Sequence, residues 1–307
     1  MKWRKLSQIF CPDNNYPWMI NYAAVPIAYN IDNDIFRIYF SSRDKNNRSY
    51  TCFVVLDINN PSDIIDISNY PILSPGEIGC FDDSGSMATS MQRINDKLFL
   101  YYIGWNLGVT VPFRNSIGLA ISEDNGITFE KAFKGPVLDR TKDEPYFVAS
   151  NCVLFDNSIY KMWYLSCVKW NMINDKPVHY YHIKYSESTD GINWDRCGII
   201  AIDFLYENEY AISVPRVIKE DNIYKMWYSY RGGFLSDNYR IGYAESKNGI
   251  EWTRKDDEIG IDISSGGWDS EMICYPFVFD HKGKRYMLYN GNGYGKTGFG
   301  LAVLEEG

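Results

Sequence analysis

Apolar and polar positions alternate in short runs along most of the chain, the pattern of half-buried β-strands. One aromatic run recurs five times, at intervals of about sixty residues. Its copies are IFRIYFSS (35–42), KLFLYYIG (97–104), IYKMWYLS (159–166), IYKMWYSY (223–230) and KRYMLYNG (284–291). The spacing predicts five structural units that together account for the whole chain.

Each unit holds further strands around the aromatic one. A strand such as AVPIAYN precedes it after a short polar turn, and a strand such as NSIGLAIS follows it. Turns that contain Asp-Gly or Asn-Gly then lead to a fourth strand, as in EDNGITFEK, STDGINWDR and SKNGIEWTR. Because glycine tolerates the positive φ of tight turns, each unit is expected to be a four-stranded antiparallel meander.

The last unit lacks a fourth strand after GFGLAVLE. Trp3, Arg4 and Lys5 near the N-terminus repeat the pattern of the NWDR and EWTRK segments in the fourth strands. We therefore expect the N-terminal strand to pair into the last unit, which would protect its exposed edge.

These observations predict an all-β fold, a five-bladed β-propeller of four-stranded antiparallel blades whose last blade the N-terminal strand closes. A single domain is expected over residues 1–307. Its blades are predicted at about 20–70, 80–138, 145–200, 208–260, and 270–305 together with 1–10.

Composition limits the classes of binding partner and the cellular compartment that we expect for this chain. The formal charge of −8 and the absence of Lys/Arg runs argue against nucleic acid, whose phosphates require clustered cations. The chain has no apolar run of membrane-spanning length, and MKWRKLSQIF lacks a signal-peptide core, so a cytoplasmic location is expected. Seven single cysteines indicate reduced thiols, and neither a metal nor a cofactor is predicted. His179 and His182 would point to opposite faces of a strand and make a poor metal pair.

With this repeat, the chain resembles the glycosidase-like superfamily of five-bladed propellers, which includes glycoside hydrolase families 32, 43, 68 and 130. The resemblance implies a carbohydrate site where the blades converge, and a glycoside hydrolase or transglycosidase that acts on a small glycan. In families 32 and 43 the first blade carries a catalytic Asp. Here the comparable stretch is Trp18–Pro26, in which Asn21 can orient a substrate but cannot act as a base. The chain is therefore expected to be an outlying branch.

Carboxylates recur before the first strands of blades two to five, and glycosidic bond cleavage uses a pair of carboxyl groups. Glu209 and Glu271 stand among apolar or aromatic residues, a setting that favours the protonated form of a general acid. Asp83 stands beside Ser84-Gly85-Ser86, a polar setting that suits a charged carboxylate. The predicted catalytic residues are Glu209, Glu271 and Asp83; the alternative is that they are solvated loop residues.

Substrate-binding candidates combine aromatic rings, amides and charges in the predicted face loops. Tryptophan rings stack on sugar C–H faces, amides and carboxylates bind hydroxyls, and arginines grip anions. The alternative for each is an ordinary structural contact. The candidates are Asn21, Trp105, Asn106, Glu144, His182, Arg216, Arg231, Trp268 and Asp269.

Two other functions remain open. One is a phosphorylase similar to family 130, in which phosphate is the nucleophile, a single carboxylic acid suffices, and residues such as Arg216, Arg231, Arg240, Lys184 and His182 form the anion pocket. The other is a propeller that binds a sugar or a nucleotide sugar in surface-polysaccharide assembly. In each case the expected partner is a small-molecule carbohydrate or sugar nucleotide.

Overall fold

The structure is a computed structural model that describes residues 1–233 and 236–305. Residues 234, 235, 306 and 307, which belong to the predicted domain 1–307, lie outside the described residues. The described part of the chain is nearly all β, and its helical elements are a 3-10 turn at Asp256–Glu258 and the single turn α1 (Asn292–Gly295). Within 1–233 and 236–305, no helix has the length and apolar character needed to cross a membrane.

The strands alternate with short turns along the whole described chain. In order they are β1 (Trp3–Phe10), β2 (Asn21–Asp32), β3 (Ile35–Arg43), β4 (Ser49–Asp57), β5 (Ile64–Ile67), β6 (Gly85–Ile94), β7 (Lys97–Leu107), β8 (Phe113–Ser122), β9 (Glu130–Lys131), β10 (Val148–Asp156), β11 (Ile159–Ile173), β12 (Lys176–Ser188), β13 (Ile200–Ile202), β14 (Glu209–Glu220), β15 (Ile223–Gly232), β16 (Ser236–Ser246), β17 (Thr253–Arg254), β18 (Cys274–His281), β19 (Lys284–Asn290) and β20 (Phe299–Leu304).

Antiparallel pairing groups the described strands into meanders that we call units 1 to 5. Units 1 to 4 are β2–β5, β6–β9, β10–β13 and β14–β17, and unit 5 is β18–β20 with β1. The N-terminal strand pairs with the last strand as expected, with Trp3 opposite Leu304. Parallel bridges join unit 1 to unit 2 between Ser49 and Gly85, and unit 3 to unit 4 between Tyr181 and Ala211.

The glycine turns between the third and fourth strands connect neighbouring units. In unit 4, the amide of Gly249 donates to the hydroxyl of Ser246 across 2.9 Å, and Gly249 adopts a left-handed φ of 77°. Its carbonyl accepts a 2.8 Å hydrogen bond from Nε1 of Trp163 in unit 3. Tyrosines at the same position of units 1 and 2 donate in the same way to the glycine turns of units 2 and 3: Tyr39 to Gly126 and Tyr101 to Gly191.

Candidate ligand-binding site

One cavity of the structure has a volume of about 360 Å³. First strands of all five units line it, with Val25, Met87, Ala149, Val214 and Tyr275 as their contributions. The hairpins between second and third strands line it as well. We call this space the main cavity.

Three residues of the cavity wall have a strained backbone. Val25, Val214 and Tyr275 each precede a proline and have positive φ values of 54°, 47° and 55°. This conformation is unfavourable for a residue with a branched or bulky side chain, and such strain is concentrated at functional sites. Hydrogen bonds to another unit hold it: the amides of these residues donate to Asn290 Oδ1 of unit 5 (2.8 Å), Ser150 Oγ of unit 3 (3.0 Å) and Ser229 Oγ of unit 4 (2.7 Å), respectively.

Aromatic side chains from units 2 and 3 form one wall of the cavity. The Phe113 ring lies 4.9 Å from Trp105, 5.6 Å from Phe147 and 5.7 Å from His179, measured between ring centroids. Tyr181 stacks on His179 at 4.8 Å with 9° between the ring planes. Such a wall can stack on the apolar face of a ligand ring.

Two polar atoms beside this wall have no hydrogen-bond partner among the described residues. They are Nε1 of Trp105 and Oδ1 of Asn115, and both are buried. Buried polar groups are normally hydrogen-bonded, so a bound molecule that supplies an acceptor and a donor would complete both.

Two arginines also line the cavity. Arg231 donates from Nη1 to the hydroxyl of Tyr294 at 2.7 Å, and from Nη2 to Nε2 of His179 at 3.2 Å. Its guanidinium carbon lies 4.8 Å from the ring centroid of Tyr239, and that of Arg43 lies 4.0 Å from the ring of Tyr22. Among the described residues, neither arginine forms a salt bridge.

His179 is neutral near pH 7. Burial, aided by the positive charge of Arg231, lowers the pKa of its imidazole to about 4. The neutral ring can accept the proton that Arg231 directs at Nε2, which an imidazolium could not do. The described lining of the main cavity is therefore aromatic and cationic, and it contains no Asp or Glu.

The predicted catalytic carboxylates do not line this cavity. Glu209 is buried and receives both Nη atoms of Arg254, at 2.7 and 2.8 Å. Asp83 accepts hydrogen bonds from Ser84 Oγ at 2.9 Å and from Asn106 Nδ2 at 3.1 Å. Glu271 is exposed.

Carboxylates at or before the start of the first strands of units 2 to 5 instead bind a cation in the fourth strand or in the segment that precedes it. In unit 5, Asp269 accepts the hydroxyl of Tyr289 at 3.1 Å and binds Nζ of Lys5 at 2.6 Å. Glu144 is held by its own unit in a similar way, by Tyr164 at 3.0 Å and Arg196 at 2.6 Å. The remaining members are Asp82, with Tyr102 and Lys131, and Glu209, with Arg254. We call these groups the carboxylate clamps.

The other predicted binding residues divide between the cavity and the framework. Trp105 and Arg231 line the cavity, and Asn21 precedes Tyr22 of its wall. The remaining side chains make framework contacts: Asn106 with Asp83, His182 with Asp203 (2.9 Å), Trp268 with Tyr289 (ring centroids 5.2 Å apart) and Arg216 with the carbonyl of Val278 (2.8 Å). Within 1–233 and 236–305, no group of three His, Cys, Asp or Glu side chains is placed to hold a metal ion.

Sequence reasoning missed Arg43 and His179. The repeat itself contained a signal for Arg43, because Arg43, Trp105 and Arg231 stand at the same position, the end of the aromatic strand of their units. No comparable signal marks His179, whose position depends on the length of the β11–β12 hairpin.

Comparisons with known proteins agree with this architecture. No protein-family model matches the chain. Over 306 residues, which cover 100% of both chains, it is 44% identical to uncharacterized protein Rv1502 of Mycobacterium tuberculosis. A shorter similarity, 42% identity over 72 residues, links 23% of the chain to 24% of a 1,2-beta-oligomannan phosphorylase of Thermoanaerobacter sp..

Solved structures with a similar fold include glycosidases. A glycoside hydrolase superposes with a TM-score of 0.75 at 16% identity, over 97% of this chain and 90% of that one. The GH32 beta-fructofuranosidase BmSUC1 of Bombyx mori superposes with a TM-score of 0.64 at 16% identity, over 96% of this chain and 62% of that one. At these identities the likeness shows the fold, that of glycosidase-like propellers.

Proposed function

The chain belongs to the same protein family as Rv1502 of Mycobacterium tuberculosis, within the glycosidase-like propeller superfamily, and we propose that it is a carbohydrate-active protein that binds a small glycan in the main cavity. The observation that carries the proposal is the composition of the cavity wall. The lining combines aromatic side chains, including Trp105 and Phe113, with arginines and tyrosine hydroxyls. Sugar recognition uses this combination of stacking surface and polar groups.

The proposal includes one domain of five blades around the main cavity. Hydrogen bonds that run from each unit to the next support it. The last of them returns to the start, because Asn290 of unit 5 binds both the amide of Val25 and the carbonyl of Ala23 in unit 1, at 2.8 and 2.6 Å. In a ring, the last unit must contact the first in this way.

Binding has more support than hydrolysis by the carboxylates predicted from the sequence. A hydrolytic pair of carboxyl groups must flank one glycosidic bond at a separation of roughly 5 to 9.5 Å. Glu209 is engaged by Arg254, and neither Glu271 nor Asp83 reaches the described wall of the main cavity. Hydrolysis with these residues would need them to leave their present contacts.

Phosphorolysis is a second candidate. The segment shared with the oligomannan phosphorylase favours it, as does the presence of Arg43 and Arg231 in the cavity. Sugar nucleotides carry the same kind of charge and belong to the same set of candidate ligands.

A thermal-shift screen tests the proposal. The wild-type protein is heated with neutral and acidic monosaccharides, manno-, xylo-, arabino- and fructo-oligosaccharides and nucleotide sugars, each with and without phosphate. A ligand of the folded state raises Tm by mass action. We expect this rise to be lost in Trp105→Ala and kept in Phe155→Ala, which removes an exposed ring of β10. If no saccharide of any class raises Tm, the proposed function is wrong; if one does, product analysis separates binding from turnover.

A further inference from the structure

Arg231, Arg37 and Arg216 have largely buried side chains and no salt bridge among the described residues. Of these three arginines, Arg231 is the one that lines the main cavity. Arg254 and Arg196 bind the buried carboxylates Glu209 and Glu144, and Arg285 binds Glu220 and Asp280. Arg231 has a hydroxyl and an imidazole as its hydrogen-bond partners. Its Nε–H group is buried and has no partner among the described residues.

An arginine cannot relieve this situation by losing its proton, because its pKa is too high. A buried charge without a counter-charge is destabilising, and the faces of Tyr210 and Tyr239 compensate for only part of the lost hydration. The free protein therefore carries an uncompensated cation in its main cavity. A natural source of the missing negative charge is a ligand.

The neighbours of Arg231 complete an anion site. The oxygen of Tyr294 accepts from Arg231, so its own proton can be donated elsewhere. Arg43 adds a second positive charge to the same cavity. The contrast with the rest of the molecule is marked, because the chain as a whole has a formal charge of −8.

We propose that Arg231 and Tyr294, held in place by His179, form an oxyanion subsite in the main cavity, and that the physiological ligand presents a carboxylate or phosphate group to it. The proposal rests on carbohydrate binding in this cavity and names the class of glycan. The oxyanion has two possible sources: an acidic group attached to the sugar, as in a uronic acid or a sugar phosphate, or free phosphate bound beside a neutral sugar.

Titration calorimetry at constant ionic strength tests the subsite. The probes are glucose, glucuronic acid, glucose 1-phosphate and inorganic phosphate, added to wild type, Arg231→Met and Arg231→Lys. We expect Arg231→Met to weaken binding of the anionic probes about tenfold or more, because it removes charge-assisted hydrogen bonds. We expect the affinity of Arg231→Lys for the anionic probes to lie between those of wild type and Arg231→Met, because lysine keeps the charge and lacks the planar guanidinium group. Arg114→Met, which changes an exposed arginine of β8, is the matched control and should bind like wild type.

The stability of the free protein gives a second measurement. Removing an uncompensated buried charge should leave the Tm of ligand-free Arg231→Met at or above that of wild type, whereas phosphate or glucuronic acid should raise Tm in wild type alone. If inorganic phosphate binds, the oxyanion is free phosphate. If the acidic sugars bind and inorganic phosphate does not, the oxyanion is a group attached to the sugar. If glucose binds as strongly as glucuronic acid and glucose 1-phosphate, and Arg231→Met does not change the binding of any of them, the proposed oxyanion subsite is wrong. The proposed function would still stand.

Discussion

Arg231 Nη2 lies 3.2 Å from Nε2 of His179, so a guanidinium and an imidazole share one hydrogen bond inside the main cavity. Two like charges at this distance would repel each other. Burial together with Arg231 lowers the pKa of His179 to about 4, which keeps the ring neutral at physiological pH. Arg231 is therefore the cation of the pair, and the neutral ring of His179 is the hydrogen-bond acceptor that orients it.

The depressed pKa makes folding stability depend on pH. In the unfolded chain His179 takes up a proton near pH 6.5, whereas in the folded protein it does so only near pH 4. The contribution to stability is complete above about pH 6.5 and falls as pH drops toward 4, because the unfolded state then binds more protons. We expect the free energy of unfolding in urea to decrease from pH 7 to pH 5, and His179→Gln to reduce this slope. A slope unchanged by the substitution would contradict the neutral ring.

Glu209 of the carboxylate clamps allows a structural role to be distinguished from a catalytic one. Glu209→Gln removes one of the two carboxylates that bind the buried Arg254, and Asp256 is the one that remains. The variant should lower the free energy of unfolding by about 1 to 3 kcal/mol, the cost of weakening hydrogen bonds to a buried charged group. Glu207→Gln, at an exposed position two residues away, is the control and should change stability little.

Ligand binding separates the two roles of Glu209. If it serves the framework, folded Glu209→Gln binds glycan with wild-type affinity and any turnover is retained. Loss of turnover in a fully folded Glu209→Gln protein would restore the catalytic role that the sequence predicts.

The repeat explains which structural features could be predicted from the sequence. Positions that recur in several units, such as Lys5 and Arg254 two residues after a tryptophan, carry framework contacts common to those units. The pairing of β1 with β20 could be predicted for this reason. The recurring carboxylates of the clamps make contacts of the same framework, whereas the catalytic role predicted for Glu209, Glu271 and Asp83 stays a prediction.

The candidate site follows a different rule. Residues at the same position of different units can differ in identity there, as Trp105 does from Arg43 and Arg231. A small ligand does not have the repeat symmetry of the units, so different units can present different groups to it. Hairpin lengths, bulges and the strained Val25 and Val214 decide which groups meet, and these depend on long-range packing that local patterns do not contain.

Unit 1 offers a test of the clamp pattern. Phe40 occupies the position of Tyr102 and Tyr164, and it packs against Phe10 and Phe299 at 5.3 and 5.8 Å between ring centroids. Phe40→Tyr would place a hydroxyl among apolar neighbours and should cost about 1 to 3 kcal/mol of folding free energy in urea denaturation. An unchanged midpoint would mean that unit 1 contains an acceptor for the hydroxyl.

The contacts between units allow a matched comparison of two buried tryptophans. Trp163 and Trp227 stand at the same position of units 3 and 4, and both are fully buried. Nε1 of Trp163 donates to Gly249 at 2.8 Å, whereas Nε1 of Trp227 has no partner among the described residues, because unit 5 takes its fourth strand from the N-terminus and has no glycine turn there. Trp→Phe removes a similar side-chain volume at both sites, but it removes a hydrogen bond at position 163 alone.

We therefore expect Trp163→Phe to lower the free energy of unfolding by about 1 kcal/mol more than Trp227→Phe, the net value of one hydrogen bond. Urea denaturation of both variants and wild type measures the difference, and the packing loss, which both share, largely cancels. Equal losses would mean that the glycine-turn bond adds nothing to the contact between units. A larger loss for Trp227→Phe would locate the stabilising contact instead in the packing of unit 4 against the N-terminal strand, where Trp3 belongs to the same apolar cluster as Trp227.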